Sequence, residues 1–245
     1  MGQRTFHRIL ATIVAVVLVV AGYCVYYVND YHHAVGVDDA IFSNATVKVT
    51  EIENGWMFDG PGSSTAMVFY PGAKVEPSAY APLMQETAAS GIDCFLMKMP
   101  GNLAFLGINR ANVVRGDIAG YSYEHWYIGG HSLGGAMAAQ YVGKHADDWD
   151  GLILLAAYSP VDLSGTGLRV LSAYGSRDGV LNRGKVEESR VRMPKKYYER
   201  TIPGANHAQF GSYGAQQGDG AATISPATQR NKTVALIRQF VADSL

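Results

Sequence analysis

The sequence predicts an α/β fold: a mostly parallel central sheet with helices on both faces, no large lid domain, and one transmembrane helix ahead of it. Three observations predict it. An uncharged apolar run long enough for a membrane span lies near the start of the chain. Short strand-like stretches follow, bounded by turn residues. From there, apolar strand patterns alternate with helical ones to the C-terminus, the pattern of parallel strands joined by crossover helices.

The opening run is Ile9 to Val28, "ILATIVAVVLVVAGYCVYYV". At about 1.5 Å per residue it spans a hydrocarbon core of about 30 Å. Arg4 and Arg8 precede it, and Asp30, Asp38 and Asp39 follow. The positive-inside rule therefore puts residues 1–8 in the cytoplasm and the bulk of the chain outside. Tyr23, Tyr26, Tyr27 and Tyr31 suit the outer interface. A cleaved signal needs small residues before the cut, but Ala21-Gly22-Tyr23 puts Tyr at the wrong end and Ala34-Val35-Gly36 sits well past the run. A lipidated Cys24 would follow a small residue, not Tyr23. An uncleaved signal anchor over 9–28 is favoured over a cleaved signal or a buried core helix.

Residues 29–44 read as a linker and 45–245 as the globular domain. "ATVKVTEI" alternates, "NGWMFDG" is a short strand, and "TAMVFYPG" is an apolar strand ending at Pro71-Gly72. "PLMQETAAS", Pro82 to Ser90, is helical, with Pro in the first turn and Gly91 just past the end. "DCFLMKMP" is a strand and "NRANVVRGDI" a helix. "EHWYIGG" is a strand leading into the helix "LGGAMAAQYVGKHA". "GLILLAAYSP" and "LRVLSAYGS" are strands, and "YYERTIPGAN" holds a strand and a loop. The last helix begins at Ser225, its N-cap, with Pro226 in the first helical position.

Composition narrows the function. The chain has 245 residues, 48% apolar, so a single large core can form. A formal charge of −1 gives no basic excess for nucleic acid and no acidic tail. Of the two cysteines, Cys24 lies in the apolar run and Cys94 in an expected strand, so no disulfide is expected. No His/Cys/Asp cluster has metal-ligand spacing, and neither metal nor organic cofactor is implied.

The chemistry centres on Gly130-His131-Ser132-Leu133-Gly134. It is the only G-x-S-x-G in the chain, and it joins a strand to a helix. Such a turn holds the serine in an unusual backbone conformation, and side chains at 130 and 134 would collide across it. The plainer alternative is a Gly-rich turn with a helix-capping serine.

A serine hydroxyl needs a base. His7 is cytoplasmic and His32 and His33 are beside the membrane. His125 begins the strand into the elbow, His131 is expected to point away from the site, and His145 sits at the elbow helix's end. That leaves His207, in "IPGANHAQFGSYG" after the last strand. The base needs an acid to fix its tautomer. Asp178 follows the strand "LRVLSAYG", with Asp162 as rival. Ser132, Asp178 and His207 then fall in the chain order expected of an elbow on an α/β sheet. The oxyanion needs N–H donors. One is expected from Leu133 and the other from Ala73 or Lys74 in "FYPGAKVEP", with Ala73 preferred and the Lys74 side chain a candidate for steering substrate.

These stretches, together with "MPGNLAFLGINRA" and "IPGANHAQFGSYGAQQGDGAATIS", resemble the compact family 5 branch of the α/β-hydrolases, loosely related to dienelactone hydrolases. The resemblance covers roughly residues 68–229. It implies an α/β-hydrolase fold and assigns nucleophile, acid and base to Ser132, Asp178 and His207. Larger α/β-hydrolases insert lids after the strand that follows the elbow helix, whereas "YSPVDLSGTGL" leaves room only for a loop. The site is therefore expected to be open, with Lys74, Leu103, Phe105, Asn109, Phe210 and Tyr213 as pocket candidates. The expected function is hydrolysis of a small-molecule carboxylic ester, thioester or amide through an acyl-enzyme on Ser132. A non-catalytic binding module and an acyltransferase or peptidase are the rivals, since fold alone does not fix function.

Overall fold

The computed structural model describes residues 2–61, 64–115 and 120–243. The chain divides into two units, Met1–Tyr31 and His32–Leu245. The first is one helix, α1, Gln3–Asn29. Its apolar side chains are exposed along its length, Leu18 at 66% and Val19 at 73%. Phe6–Asn29 is long and apolar enough to cross a membrane. In hydrocarbon a helix satisfies its own backbone, so such a run needs no protein partner.

The second unit is built on one eight-stranded sheet. Its strands are β1 (Lys48–Ile52), β2 (Gly55–Asp59), β3 (Thr65–Tyr70), β4 (Asp93–Met97), β5 (His125–His131), β6 (Gly151–Leu155), β7 (Arg169–Gly175) and β8 (Lys196–Ile202). The order across the sheet is β1-β2-β4-β3-β5-β6-β7-β8. β1 pairs with β2, and β2 with β4, antiparallel; every other pairing is parallel. The helices are α2 (Ala81–Ala89), α3 (Asn112–Arg115), α4 (Leu133–Val142), α5 (Arg183–Ser189) and α6 (Pro226–Ala242).

Side-chain alternation splits the core in two. Met67, Phe69, Tyr127, Ile153 and Leu155 face one side and pack with α2 and α6. Ala66, Val68, Ile128, Leu152 and Leu154 face the other and pack with α3 and α4. Both faces are covered, so β3, β4, β6 and β7 are buried at every residue. That is why they read as unbroken apolar runs. α2 ends at Ala89, and Gly91, just past its cap Ser90, takes a φ of +98° that suits glycine. α6 starts as the sequence suggests, with Ser225 Oγ accepting from the Thr228 N–H at 3.1 Å.

The structure departs from the sequence reading in three places. The helix expected over 109–118 is reduced to α3, and residues 116–118 lie outside the described residues. α5 is new; it buries only Val186 and Ser189, too few to show a period in sequence. The stretch read as linker is packed onto the domain from His32 onward. His32 N–H donates to Lys74 C=O at 2.7 Å, Glu76 N–H to His32 C=O at 2.9 Å, and Val35 N–H to Ser212 C=O at 2.8 Å. Val37 and Ala40 are buried. Between β6 and β7, residues 156–168 form a loop with neither helix nor strand, so no lid enters there.

On the edge strand β8, Glu199 accepts from Arg190 Nε at 2.8 Å and Nη2 at 2.7 Å, and from the hydroxyls of Tyr174 and Tyr197. The Arg190 guanidinium, helped by the two tyrosines, holds its pKa down to about 2. A depressed carboxylate pKa adds stability that is present above the ordinary value of 4.5 and lost as pH falls toward 2. Glu199→Gln is therefore expected to lower the midpoint of denaturant unfolding at pH 6 and to shrink that deficit steadily below pH 4.5. An equal deficit at pH 6 and pH 3 would contradict this.

Candidate active site

β5 delivers the chain to Ser132, which takes φ 53° and ψ −123° before α4 begins at Leu133. That conformation costs on the order of 1–3 kcal/mol for a residue with a side chain, and the surroundings enforce it. Ser132 N–H donates to Leu155 C=O on β6 at 2.9 Å, and Ser132 C=O accepts from Ala136 N–H at 3.1 Å. The elbow admits no side chain on its flanks. A Cβ at Gly130 would lie 2.6 Å from Tyr70 O, and one at Gly134 would lie 2.2 Å from the same oxygen.

His207 follows β8 and starts a 3₁₀ turn, Ala208–Phe210. Its Nδ1 lies 2.9 Å from Asp178 Oδ2, and both side chains are buried. Asp178 Oδ1 meanwhile accepts from the Val180 and Leu181 N–H groups at 3.0 and 2.8 Å. A carboxylate accepts, so the imidazole proton sits on Nδ1 and Nε2 carries the lone pair. Nε2 is buried with no hydrogen-bond partner among the described residues. Asp162, the rival acid, instead closes an exposed turn by accepting from Ser164 N–H at 2.9 Å.

Ser132 and His207 line one pocket of about 240 Å³. Leu133, Ala136, Ala156, Ala157, Val180 and Leu181 supply apolar walls, and Tyr158 and Asn182 the remainder. No charged side chain lines it except His207 when protonated.

A model of the alpha/beta hydrolase family matches residues 66–231 of the chain. The chain belongs to the alpha/beta hydrolase family. Among solved structures, the hydrolase is similar to carboxyl esterase 2 from the mycorrhizal fungus Tuber melanosporum, with a TM-score of 0.60 and 12% identity over 88% of this chain and 92% of that one. It is also similar to Est1E from Butyrivibrio proteoclasticus, with a TM-score of 0.56 and 13% identity over 81% of this chain and 100% of that one. At such identities the likeness is one of fold. No curated protein sequence matches the chain.

The loop after β3 in this hydrolase sorts its N–H groups. Gly72 N–H donates to Tyr80 Oη at 3.1 Å. Lys74 N–H donates to Asn102 C=O at 2.8 Å, and Lys74 takes a positive φ of 54°. The N–H groups of Ala73 and Leu133 make no hydrogen bond to any described residue.

His131 is the residue that sequence reasoning misplaced. It was expected to point away; instead its ring lies 4.5 Å from that of His207, tilted by 50°. Strand alternation explains this, because 131 falls on the same face as Tyr127, and the His207 loop crosses that face. Its Nδ1 is 2.8 Å from Tyr80 Oη. Burial, with the neighbouring His207 adding to it, pushes the His131 pKa well down, so the ring is neutral. Burial pushes the Tyr80 hydroxyl up, so Tyr80 keeps its proton. Gly72 backs onto this pair; a Cβ there would lie 2.8 Å from Tyr80 Oη and 2.9 Å from His131 Nδ1. The turn after β3, Tyr80, His131 and His207 thus form one packed series.

None of the six pocket candidates lines the pocket of Ser132 and His207. Leu103 is buried, and Phe105 and Asn109 are exposed. Lys74 is engaged in the loop described above. Phe210 is buried against His131 at 5.6 Å between ring centroids. Tyr213 is buried too, its hydroxyl 3.0 Å from Gln216 Oε1. Apolar residues near His207 pack beneath it, and the loops after β6 and β7 wall the pocket instead. Among the described residues, no group of three His, Cys, Asp or Glu side chains is placed to hold a metal ion.

Proposed function

We propose that this hydrolase is a membrane-anchored serine esterase acting on small carboxylic esters, with thioesters and amides as chemical relatives. The observation that carries the reading is the 2.9 Å pairing of His207 Nδ1 with Asp178 Oδ2, which leaves Nε2 as the lone pair of a residue sharing a pocket with Ser132. Ser132 Oγ attacks the ester carbonyl while His207 Nε2 takes its proton. Asp178 holds the imidazole and stabilises the imidazolium. The N–H groups of Leu133 and Ala73 receive the oxyanion, and their lack of other partners supports that role. The tetrahedral intermediate collapses, His207 protonates the leaving alcohol, and water then cleaves the acyl-enzyme by the same steps.

The uncharged pocket walls favour a neutral group next to the scissile carbonyl. The carboxyl esterase among the similar structures adds weight to ester over amide. We place residues 9–28, within the apolar helix Phe6–Asn29, in a membrane, with residues 1–8 cytoplasmic and the hydrolase domain outside. Protease added to intact cells would then degrade the domain; full protection would reverse the orientation.

The functional test uses the full chain in detergent micelles. A fluorophosphonate probe should label a single peptide at Ser132, and p-nitrophenyl acetate and butyrate should turn over. A folded protein that takes no label and cleaves neither ester would favour a binding module on the same fold. Product transferred to an added alcohol in preference to water would favour an acyltransferase.

A further inference from the structure

The Gly-rich stretch after His207 is long and distinctive in the sequence, yet the chemistry above leaves most of it without a task. Asp219 lies at its centre. Its Oδ1 accepts from His207 N–H at 3.2 Å, Gly179 N–H at 3.1 Å and its own neighbour Gly220 N–H at 2.8 Å. Its Oδ2 accepts from Ala208 N–H at 2.8 Å. One carboxylate thus receives the backbone of the base, the residue after the base and the residue after the acid.

We propose that Asp219 is a positioning residue that fixes the His207 loop against the Asp178 loop and so sets the distance between base and acid. This rests on the reading of His207 and Asp178 as base and acid. The surrounding backbone supports it. A Cβ at Gly179 would lie 2.5 Å from Gly218 O, and one at Gly220 would lie 2.0 Å from Arg177 O. The two loops therefore meet backbone to backbone, with glycine on both sides of the contact. Asn206 adds a second tie, donating from Nδ2 to Gly220 C=O at 2.9 Å. Asp178 is oriented within its own loop by Val180 and Leu181. The Asp178 loop also meets the chain just before His207 directly, Arg177 N–H donating to Ala205 C=O at 2.8 Å and Gly204 N–H to Ser176 Oγ at 2.8 Å, and the Asp219 carboxylate adds the tie at the His207 backbone itself. Hydrogen bonds to a charged acceptor are stronger than neutral ones, which suits a clamp between two loops.

The test compares wild type, Asp219→Ala and Asp219→Asn in detergent. Active sites are counted by fluorophosphonate titration, so that kcat refers only to molecules with a competent serine. A displaced base is expected to lower kcat for p-nitrophenyl butyrate on the order of 10²-fold in Asp219→Ala, with KM within about threefold. The rate of fluorophosphonate labelling should fall by a similar factor, because that reaction needs the same base. Asp219→Asn keeps an oxygen for His207 and Gly179 and loses the acceptor for Ala208, so it should fall between the two. Unchanged kcat per titrated site, whatever the folded yield, would make Asp219 a structural residue and overturn the proposal. So would failure of Asp219→Asn to fold. A wild-type protein that takes no label at all would sink the esterase reading itself, whereas normal wild-type labelling with normal Asp219→Ala turnover would sink only the clamp.

Discussion

Ser132→Ala is expected to reduce kcat/KM for p-nitrophenyl butyrate by about 10⁴-fold or more and to abolish fluorophosphonate labelling. In barrier terms that is about 5.5 kcal/mol of lost transition-state stabilisation. Alanine fits the elbow without a new clash, and Ser132 is held there through its backbone to Leu155 and Ala136, so the protein should stay folded. The loss should therefore fall on kcat. Nucleophile and base act as a unit, so His207→Ala should cost nearly as much, and the double variant little more than either alone. What remains would come from the N–H groups of Leu133 and Ala73. Retention of even a tenth of wild-type turnover in pure Ser132→Ala would mean another nucleophile and would remove the basis of the proposed mechanism.

Gly134→Ala is expected to be strongly disruptive for the addition of one methyl group. Its Cβ would stand 2.2 Å from Tyr70 O and 2.3 Å from Pro71 O, both main-chain atoms at the end of β3. Neither can move as a side chain would, so relief requires α4 to lift off the sheet. Overpacking of this kind costs about 1–3 kcal/mol and sometimes more. In a domain of about 200 residues that corresponds to a melting temperature lower by about 2–12 °C. Activity should fall with it, because the atoms struck lie just before Ala73. Gly165→Ala is the matched control: nothing lies within 4 Å of a Cβ there, and the variant should melt with wild type. Equal melting of Gly134→Ala and wild type would show that the elbow is slacker than its contacts indicate.

Much of this was legible in the chain, for identifiable reasons. Strands buried on both faces leave unbroken apolar runs, so β3, β4, β6 and β7 stand out. The elbow declares itself through glycines that sterics demand. The chain order singles out Asp178 and His207, and the structure pairs them. The rest depended on contacts between segments far apart in sequence. α5 is too polar and too short to show a period. The approach of His131 to His207 required knowing which face the last loop crosses, although counting by twos from Tyr127 would have put it on the α2 and α6 side. The pocket walls come from loops after β6 and β7, whose apolar residues look in sequence like any others. Asp219 resembles a turn aspartate until its four donors are counted.

The strap of residues 32–44 has a consequence for how the domain can be released from its helix. His32 brackets the turn that carries Ala73, receiving Glu76 and donating to Lys74. Removing α1 by cutting near residue 30 leaves that bracket whole and should yield a soluble enzyme of full activity. Cutting at 44, where the sequence alone would draw the boundary, strips away a parallel bridge to Val75 and the buried Val37 and Ala40. The domain cut at 44 is then expected to carry a loosened turn at Ala73. The position of the cut is therefore expected to decide how much activity the released domain keeps.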